Sequence, residues 1–371
     1  MFSISKIAKP NCTTTANLFI IMLFVCFNTA LLAQNITKKA NWIRPEVVSG
    51  QQTWGIHNGI VFSLWPNGVE TADQGTGGPR GLIRVGYEYM GKVYLINFIA
   101  IEPVVDGKIE FSEISPSNVD GKWGKLLWTG DNETTDSYNP INSRGIISHP
   151  DGNKPEIEQL SLYVFTEQFL NGANPYLKLS IRSDRPEEIC FEIHNKENSA
   201  KMDRCALTAT MGNYSRLRLL HLNNETIDSR KLYSGYSGID FIEKEAYSAS
   251  TFLKLKDGSP IVFTTSNESF SELSSWPNDS VYYTKRNWKY RPLCKLTQYW
   301  RKDNMGYNPS LEVRVNGRAK YWSGGTKDTS QYVNIPGGPA FENFELREKY
   351  YPGQKFYYGL TIKTADELLK Q

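Results

Sequence analysis

A succession of short apolar runs, each closed by a tight-turn pair, constrains this chain more than any other feature. Strand-like runs lie at residues 59–65, 81–89, 92–101, 160–166, 176–182, 189–194, 215–222, 250–255, 260–265, 311–315 and 355–362. All are rich in β-branched or aromatic residues. Around them stand Asn67-Gly68, Asp106-Gly107, Asp120-Gly121, Asp151-Gly152, Asp257-Gly258 and Asn316-Gly317, pairs able to adopt the left-handed backbone of hairpin turns. A mostly antiparallel topology follows. A period near 3.6 is weak everywhere, and 365–370 is the clearest short helix. So many strands need two sheet faces to bury against each other, which predicts an all-β fold: one large antiparallel β-sandwich with little helix. No Pro, Ser or Gly tract divides the chain and no repeat of fixed period runs through it, so residues 34–371 are expected to form a single domain.

The first 33 residues carry an export signal. Lys6 and Lys9 precede an apolar run over 16–33, and Leu31-Leu32-Ala33 stands before Gln34, the pattern of a cleaved leader. Asn28 and Thr29 interrupt the run, which leaves it short of the ~20 apolar residues that span a bilayer. Cys26 lies inside the run rather than after its end, which argues against a lipoprotein. The mature protein is expected in the periplasm or secreted, with no membrane span. The leader removes two of the 42 basic residues, set against 39 acidic ones, so the mature chain is close to neutral. Nucleic-acid binders need a large positive field to displace phosphate counterions, and none is present. A local basic pocket for an anionic sugar remains compatible with this balance.

Cys12 and Cys26 leave with the leader, and Cys190, Cys205 and Cys294 remain. An oxidising compartment permits one pair, for which Cys190 with Cys205 across neighbouring strands is the expected choice. No Cys-x-x-Cys or His-x-x-x-His spacing supports a zinc site. Asp73, Asp131, Glu133 and Asp136 lie in loops that could bind calcium but lack the alternation of an EF-hand, so no cofactor is expected and a divalent cation there has no motif to support it. Residues 75–81, Gly-rich and containing Arg80, lack the Gly-Lys-Ser/Thr ending of a phosphate loop. They read instead as a loop whose arginine reaches a substrate anion.

Aromatic residues make up 13% of the chain, and Trp54, Trp65, Trp123, Trp128, Trp276, Trp288, Trp300 and Trp322 stand near turns and ends. Core packing accounts for a single tryptophan. Trp and Tyr beside Arg, Asn and Asp also suit sugars, stacking on C–H faces while polar neighbours bond the hydroxyls. Two stretches carry more: Thr210-Met211-Gly212-Asn213-Tyr214-Ser215-Arg216-Leu217-Arg218, and Ile335-Pro336-Gly337-Gly338-Pro339-Ala340-Phe341-Glu342-Asn343-Phe344-Glu345-Leu346 with Tyr351-Pro352-Gly353-Gln354-Lys355-Phe356 after it. Together they resemble secreted proteins of marine-bacterial polysaccharide-degradation clusters, including the oligosaccharide dehydratases of ulvan breakdown, a group similar to the mutarotase-like supersandwich. The resemblance implies β-elimination at a uronic acid of a sulfated, ulvan-type oligosaccharide, a dehydration that leaves an unsaturated uronate. It assigns no catalytic residue.

Such an elimination needs a cation cluster for the carboxylate, a base for the C5 proton and an acid for the oxygen leaving C4. Arg216 and Arg218, two apart in the run 215–222, share a face if the strand is regular, with Asn213 and Tyr214 just upstream. They suit a carboxylate clamp, or pair structurally with Glu342 or Glu345. Arg80, Asn213 and Glu342 complete the expected substrate contacts. For proton transfer the chain offers Tyr214, favoured as phenolate by the two arginines, and four histidines at 57, 149, 194 and 221. His149 leads because it lies in the loop Ser148-His149-Pro150-Asp151-Gly152, and His57 follows beside Trp54 and Asn58. Cleavage of the glycosidic bond by elimination is one alternative. A hydrolase using Glu342 and Glu345 is another, weakened because residues three apart in a regular strand face opposite ways. A sugar-binding module without catalysis is a third.

Overall fold

The computed structural model describes residues 41–45, 52–65, 82–89, 91–113, 115–118, 125–133, 143–210, 216–242, 245–266, 297–305, 307–320, 334–335 and 337–370. Two large antiparallel sheets pack face to face, the all-β sandwich that the turn-punctuated sequence predicts. The ten-stranded sheet runs in the order β1 (Trp42–Ile43), β2 (Gln52–Ile56), β3 (Ile60–Trp65), β4 (Leu82–Tyr89), β5 (Lys92–Val105), β12 (Arg204–Thr210), β20 (Ala340–Arg347), β19 (Glu312–Arg318) and β15 (Glu245–Ser248), with β6 (Lys108–Ile109) on β5. The eleven-stranded sheet runs β14 (Thr226–Asp228), β13 (Leu217–His221), β17 (Pro260–Ser266), β18 (Thr297–Arg301), β21 (Gln354–Thr361), β11 (Arg185–Asn195), β10 (Pro175–Arg182), β9 (Gln159–Thr166) and β7 (Leu127–Gly130). Off that path β16 (Leu253–Lys254) pairs with β17, and β8 (Ile146–Ser148) with β9.

The core lies between the sheets, where strand alternation sends one side chain in two inward. Ile99, Ile101, Leu207, Phe344 and Leu346 of the first sheet meet Leu177, Leu179, Phe191, Trp300 and Tyr358 of the second, all at most 1% exposed. Trp300 is the hub: its ring centre lies 4.8 Å from that of Tyr358, and Nε1 donates to the Phe344 carbonyl at 2.8 Å. One polar pin crosses the same layer. Asn97 Nδ2 donates to Gln298 Oε1 at 2.7 Å, and the Tyr358 hydroxyl donates to the same oxygen at 2.8 Å. Satisfied in this way, buried amides cost little and fix the registry of the two sheets. Trp54 and Trp128 are buried and stacked on Phe62 and Phe165, so they are packing residues.

Several local expectations change. Asn316-Gly317 makes no hairpin; it lies inside β19 at a bulge, and a Cβ at Gly317 would fall 2.6 Å from the Tyr233 ring. The run 250–255 gives a short 3-10 turn followed by the two-residue β16. Cys190 and Cys205 are free thiols. They sit on β11 and β12, in different sheets rather than on neighbouring strands. The C-terminal helix α1 (Ala365–Leu369) forms, with a capping box between Thr364 and Glu367, and packs Leu368 on Ile261, Phe263 and Tyr299. No helix among the described residues is long and apolar enough to cross a membrane. Residues 1–33, the expected leader, lie outside the described residues.

Candidate active site on the outer face of the ten-stranded sheet

β5 runs past the end of β4, and that mismatch creates the site. Pairing with β4 stops at Ile83 opposite Ile99, whereas β5 continues to Val105. The chain turns back through Asp106 and Gly107, at φ 47° and 73°, as the Asp-Gly pair predicts. The returning segment then takes the place of β4: Glu110 N–H donates to the Pro103 carbonyl at 3.1 Å and Ser112 N–H to the Ile101 carbonyl at 3.0 Å. Ser112 Oγ accepts from Ile101 N–H at 2.9 Å. Glu113 follows at once and is buried at 8% exposure.

Register brings its neighbours together. With Ile99 and Ile101 facing the core, Phe98 and Glu102 of β5 point outward, and Arg84, Thr208, Thr210 and Glu345 join them through the pairs Arg84 with Phe98, Phe98 with Thr210, and Thr208 with Glu345. The Thr208 hydroxyl donates to the Glu102 carboxylate. The Arg84 guanidinium lies 4.4 Å from the centre of the Phe98 ring. Glu342 arrives by way of the bulge: Asn316 pairs with Asn343 but Gly317 pairs with Phe341, so Glu342 is the extra residue.

The electrostatics of Glu113 set this cluster apart. Burial first, and then the negative charges of Glu102 and Glu342, push its carboxyl up to about 8, with Arg84 opposing. It is therefore mostly protonated at neutral pH while facing two carboxylates and a guanidinium. An acid kept neutral beside charged carboxylates can donate a proton where its neighbours accept one. Glu345 has another occupation, with Arg314 and Arg347 each 3.6 Å away, and Arg204 and Arg347 both holding Glu312 alongside. The carboxylate partner of Glu342 in the site is accordingly Glu113 or Glu102, not Glu345.

Arg216 and Arg218 do not stand in a regular strand. β13 begins at Leu217, Arg216 takes φ 44°, and the register with β17 shifts between Leu217 and Leu219. Strand alternation therefore fails as the reason for a shared face. Both guanidinium side chains are nonetheless 1% exposed. Arg218 Nη2 donates to the Gly338 carbonyl at 3.4 Å, two residues before β20 and four before Glu342. Left-handed backbone at a non-glycine residue is uncommon and is held by its surroundings.

Tyr214, Asn213 and Arg80 lie outside the described residues. His149 is exposed in the connection after β8, on the eleven-stranded sheet. His57 stands in the β2–β3 turn with Nδ1 3.4 Å from Glu88, whose carboxylate also accepts from Asn58 N–H at 2.6 Å. His221 bonds Thr265 at 2.8 Å, and burial lowers its pKa. None of these histidines is grouped with Glu113 by any strand pairing. Reading the sequence missed Arg84, Glu102, Glu113 and Thr208. One signal was present, a charge inside the apolar run Ile99-Ala100-Ile101-Glu102-Pro103. Among the described residues no group of three metal-ligating side chains is suited to hold an ion. No protein-family model, curated protein or solved structure matches the chain.

Proposed function

We propose that this chain is an exported carbon–oxygen lyase that dehydrates uronic-acid-containing oligosaccharides on the outer face of its ten-stranded sheet. The observation that carries the reading is Glu113, a carboxyl raised to about 8 beside Glu102, Glu342 and Arg84. Elimination needs one group that is protonated and one that is not, within reach of adjacent carbons. Glu102 or Glu342 takes the C5 proton, the C5–H electrons form the C4–C5 double bond, and the C4–O bond breaks. Glu113 gives its proton to the departing hydroxyl, which leaves as water. Arg84 neutralises the uronate carboxylate, aided by Arg216 and Arg218, and so lowers the barrier to C5 deprotonation. Tyr214 with His149 or His57 are the proton-transfer groups that sequence favours; in this reading the carboxyl cluster takes over proton transfer, with Glu113 as the acid.

The same acid beside a carboxylate is also what a glycoside hydrolase uses. Incubation with a panel of uronate oligosaccharides separates the two. A product lighter by one water, with the ultraviolet absorbance of a conjugated uronate, supports dehydration; cleavage without added water indicates a polysaccharide lyase; fragments that together gain one water indicate hydrolysis and overturn the elimination.

A further inference from the structure

The opposite outer face holds a feature that the reaction does not use. Across the eleven-stranded sheet, register sets Tyr163, Lys178, Glu192 and Lys355 in one row over β9, β10, β11 and β21. The next row in the same direction holds Ser161, Ser180, Cys190 and Tyr357, and beyond it Gln159 and Arg182 pair. The small side chains of Ser180 and Cys190, set between longer ones with Tyr357 at one end, leave a trough across the strands, a hollow of about 290 Å³. Its shape is therefore a product of pleat and side-chain size.

Charge and aromatic surface favour one class of occupant. Lys178 and Lys355 line one wall, and Arg182, held flat by two 2.9 Å bonds to Asp184, lines the other with Arg185. The lining carboxylates are Glu188 and Glu192, and Glu188 is already engaged by Arg301 in bonds of 2.6 and 2.9 Å. Four cations, Lys178, Arg182, Arg185 and Lys355, thus line the trough against two carboxylates, with Glu192 3.7 Å from Lys355. Next to the Lys178 row the rings of Phe165, Tyr176 and His194 stack across three strands at 5.5 and 5.1 Å, with Tyr163 adjoining. Tyr163, Tyr176 and His194 are each half-buried, so part of each ring faces solvent.

We propose that this trough is a second, non-catalytic site that binds an anionic glycan chain, its carboxylates or sulfates on Lys178 and Lys355 and its sugar rings along Tyr163 and Tyr176. Lysine ammonium groups on a wet surface suit diffuse anionic groups spaced along a chain, and flat aromatic faces suit the pyranose C–H surface. Binding here is independent of which reaction the other sheet performs.

Native electrophoresis through gels containing polygalacturonate, dextran sulfate or neutral dextran tests the site, each mobility being referred to a glycan-free gel. Wild-type protein is expected to be slowed by a polyanion and not by dextran; the carboxylated and sulfated gels identify the preferred group. Lys178→Ala/Lys355→Ala removes one half-buried and one exposed cation and is expected to abolish the retardation. Ser180→Trp fills the trough without changing charge and is expected to do the same. Retardation that survives in the folded lysine double variant, or wild-type mobility unchanged in both polyanion gels, overturns the proposal. Turnover on oligosaccharides by the lysine double variant is expected to match wild type, so failure here is distinguishable from failure of the reaction assignment.

Discussion

On the outer face of the ten-stranded sheet, Glu102, Glu113, Glu342 and Glu345 are between 1% and 8% exposed. On that of the eleven-stranded sheet, the side chains of Glu192, Arg182 and Lys355 are 23%, 38% and 45% exposed. Both faces are charged, but the first gathers its carboxylates out of water, where each interaction is stronger and each unpaired group more costly. On the second the buried Glu188 is matched directly by Arg301, and the charges around that pair stay solvated. The Arg182–Asp184 pair shows the contrast: bidentate and well formed, it leaves Asp184 below the usual carboxylate range because of Arg182, whereas burial and like charge raise Glu113. Chemistry needs the buried arrangement; reversible capture of a polymer does well with the solvated one.

Glu113→Gln is expected to have the largest effect. Turnover should fall by about 100-fold or more, the scale of one acid–base group, with circular dichroism unchanged. The same variant tests the pKa. Because the folded value, about 8, lies above the ordinary 4.5, the folded protein keeps a proton that the unfolded chain has lost between those values. The stability contributed by this group is therefore complete below pH 4.5 and declines as pH rises toward 8, at up to about 1.4 kcal/mol per unit. Urea midpoints for wild type and Glu113→Gln should diverge in favour of the variant as pH rises from 5 to 8. Parallel midpoints would show that Glu113 ionises normally and would remove the distinction between the two faces.

Arg218→Ala comes next. A buried guanidinium that donates to the Gly338 carbonyl leaves an unsatisfied acceptor when removed, and chemical denaturation should report a loss of about 1–3 kcal/mol. Turnover should fall as well. Loss of stability with normal specific activity in the folded fraction would confine Arg218 to a structural role.

How much of this was legible depends on which strands are considered. The strands over 59–65, 81–89, 160–166, 176–182 and 260–265 emerge within one or two residues because their apolar content stands clear between turn pairs. β12 and β20, which supply Thr208 and Glu342, were not anticipated. They are buried on both faces, so polar side chains turned outward toward the site sit where alternation would signal solvent, and neither an apolar run nor a clean period 2 appears. Glu113 was invisible for a different reason: it depends on a return segment replacing β4 along β5, a long-range pairing with no local signature. Asn316-Gly317 read as a hairpin because the same residues serve bulges.

On the solvated face, Asp184→Asn is expected to change stability by at most about 0.5 kcal/mol, since its side chain is 35% exposed and water screens the pair. The sign follows from its lowered pKa: the contribution is present above the unfolded carboxylate range and lost as pH falls through the folded value. A difference between wild type and variant measured at neutral pH should therefore shrink under acid conditions. A cost of several kcal/mol would mean that the Arg182–Asp184 pair is held out of water as the Glu113 cluster is, and the contrast between the two would fail.

The smallest effects are expected from His149→Ala and His57→Ala. His149 is exposed on the connection after β8, in the sheet that does not carry Glu113. His57 is 40% exposed, and its neighbour Glu88 accepts from the backbone of Asn58 and of Gly91 whether or not the ring is present. Turnover of each variant should stay within about twofold of wild type, and stability within about 0.5 kcal/mol, as for a screened surface pair. The comparison with Glu113→Gln is what makes this informative. If His149→Ala removes turnover while Glu113→Gln retains it, proton transfer belongs to the eleven-stranded sheet, the trough beside Pro150 becomes the reaction site, and the buried carboxyl cluster is left as structure alone.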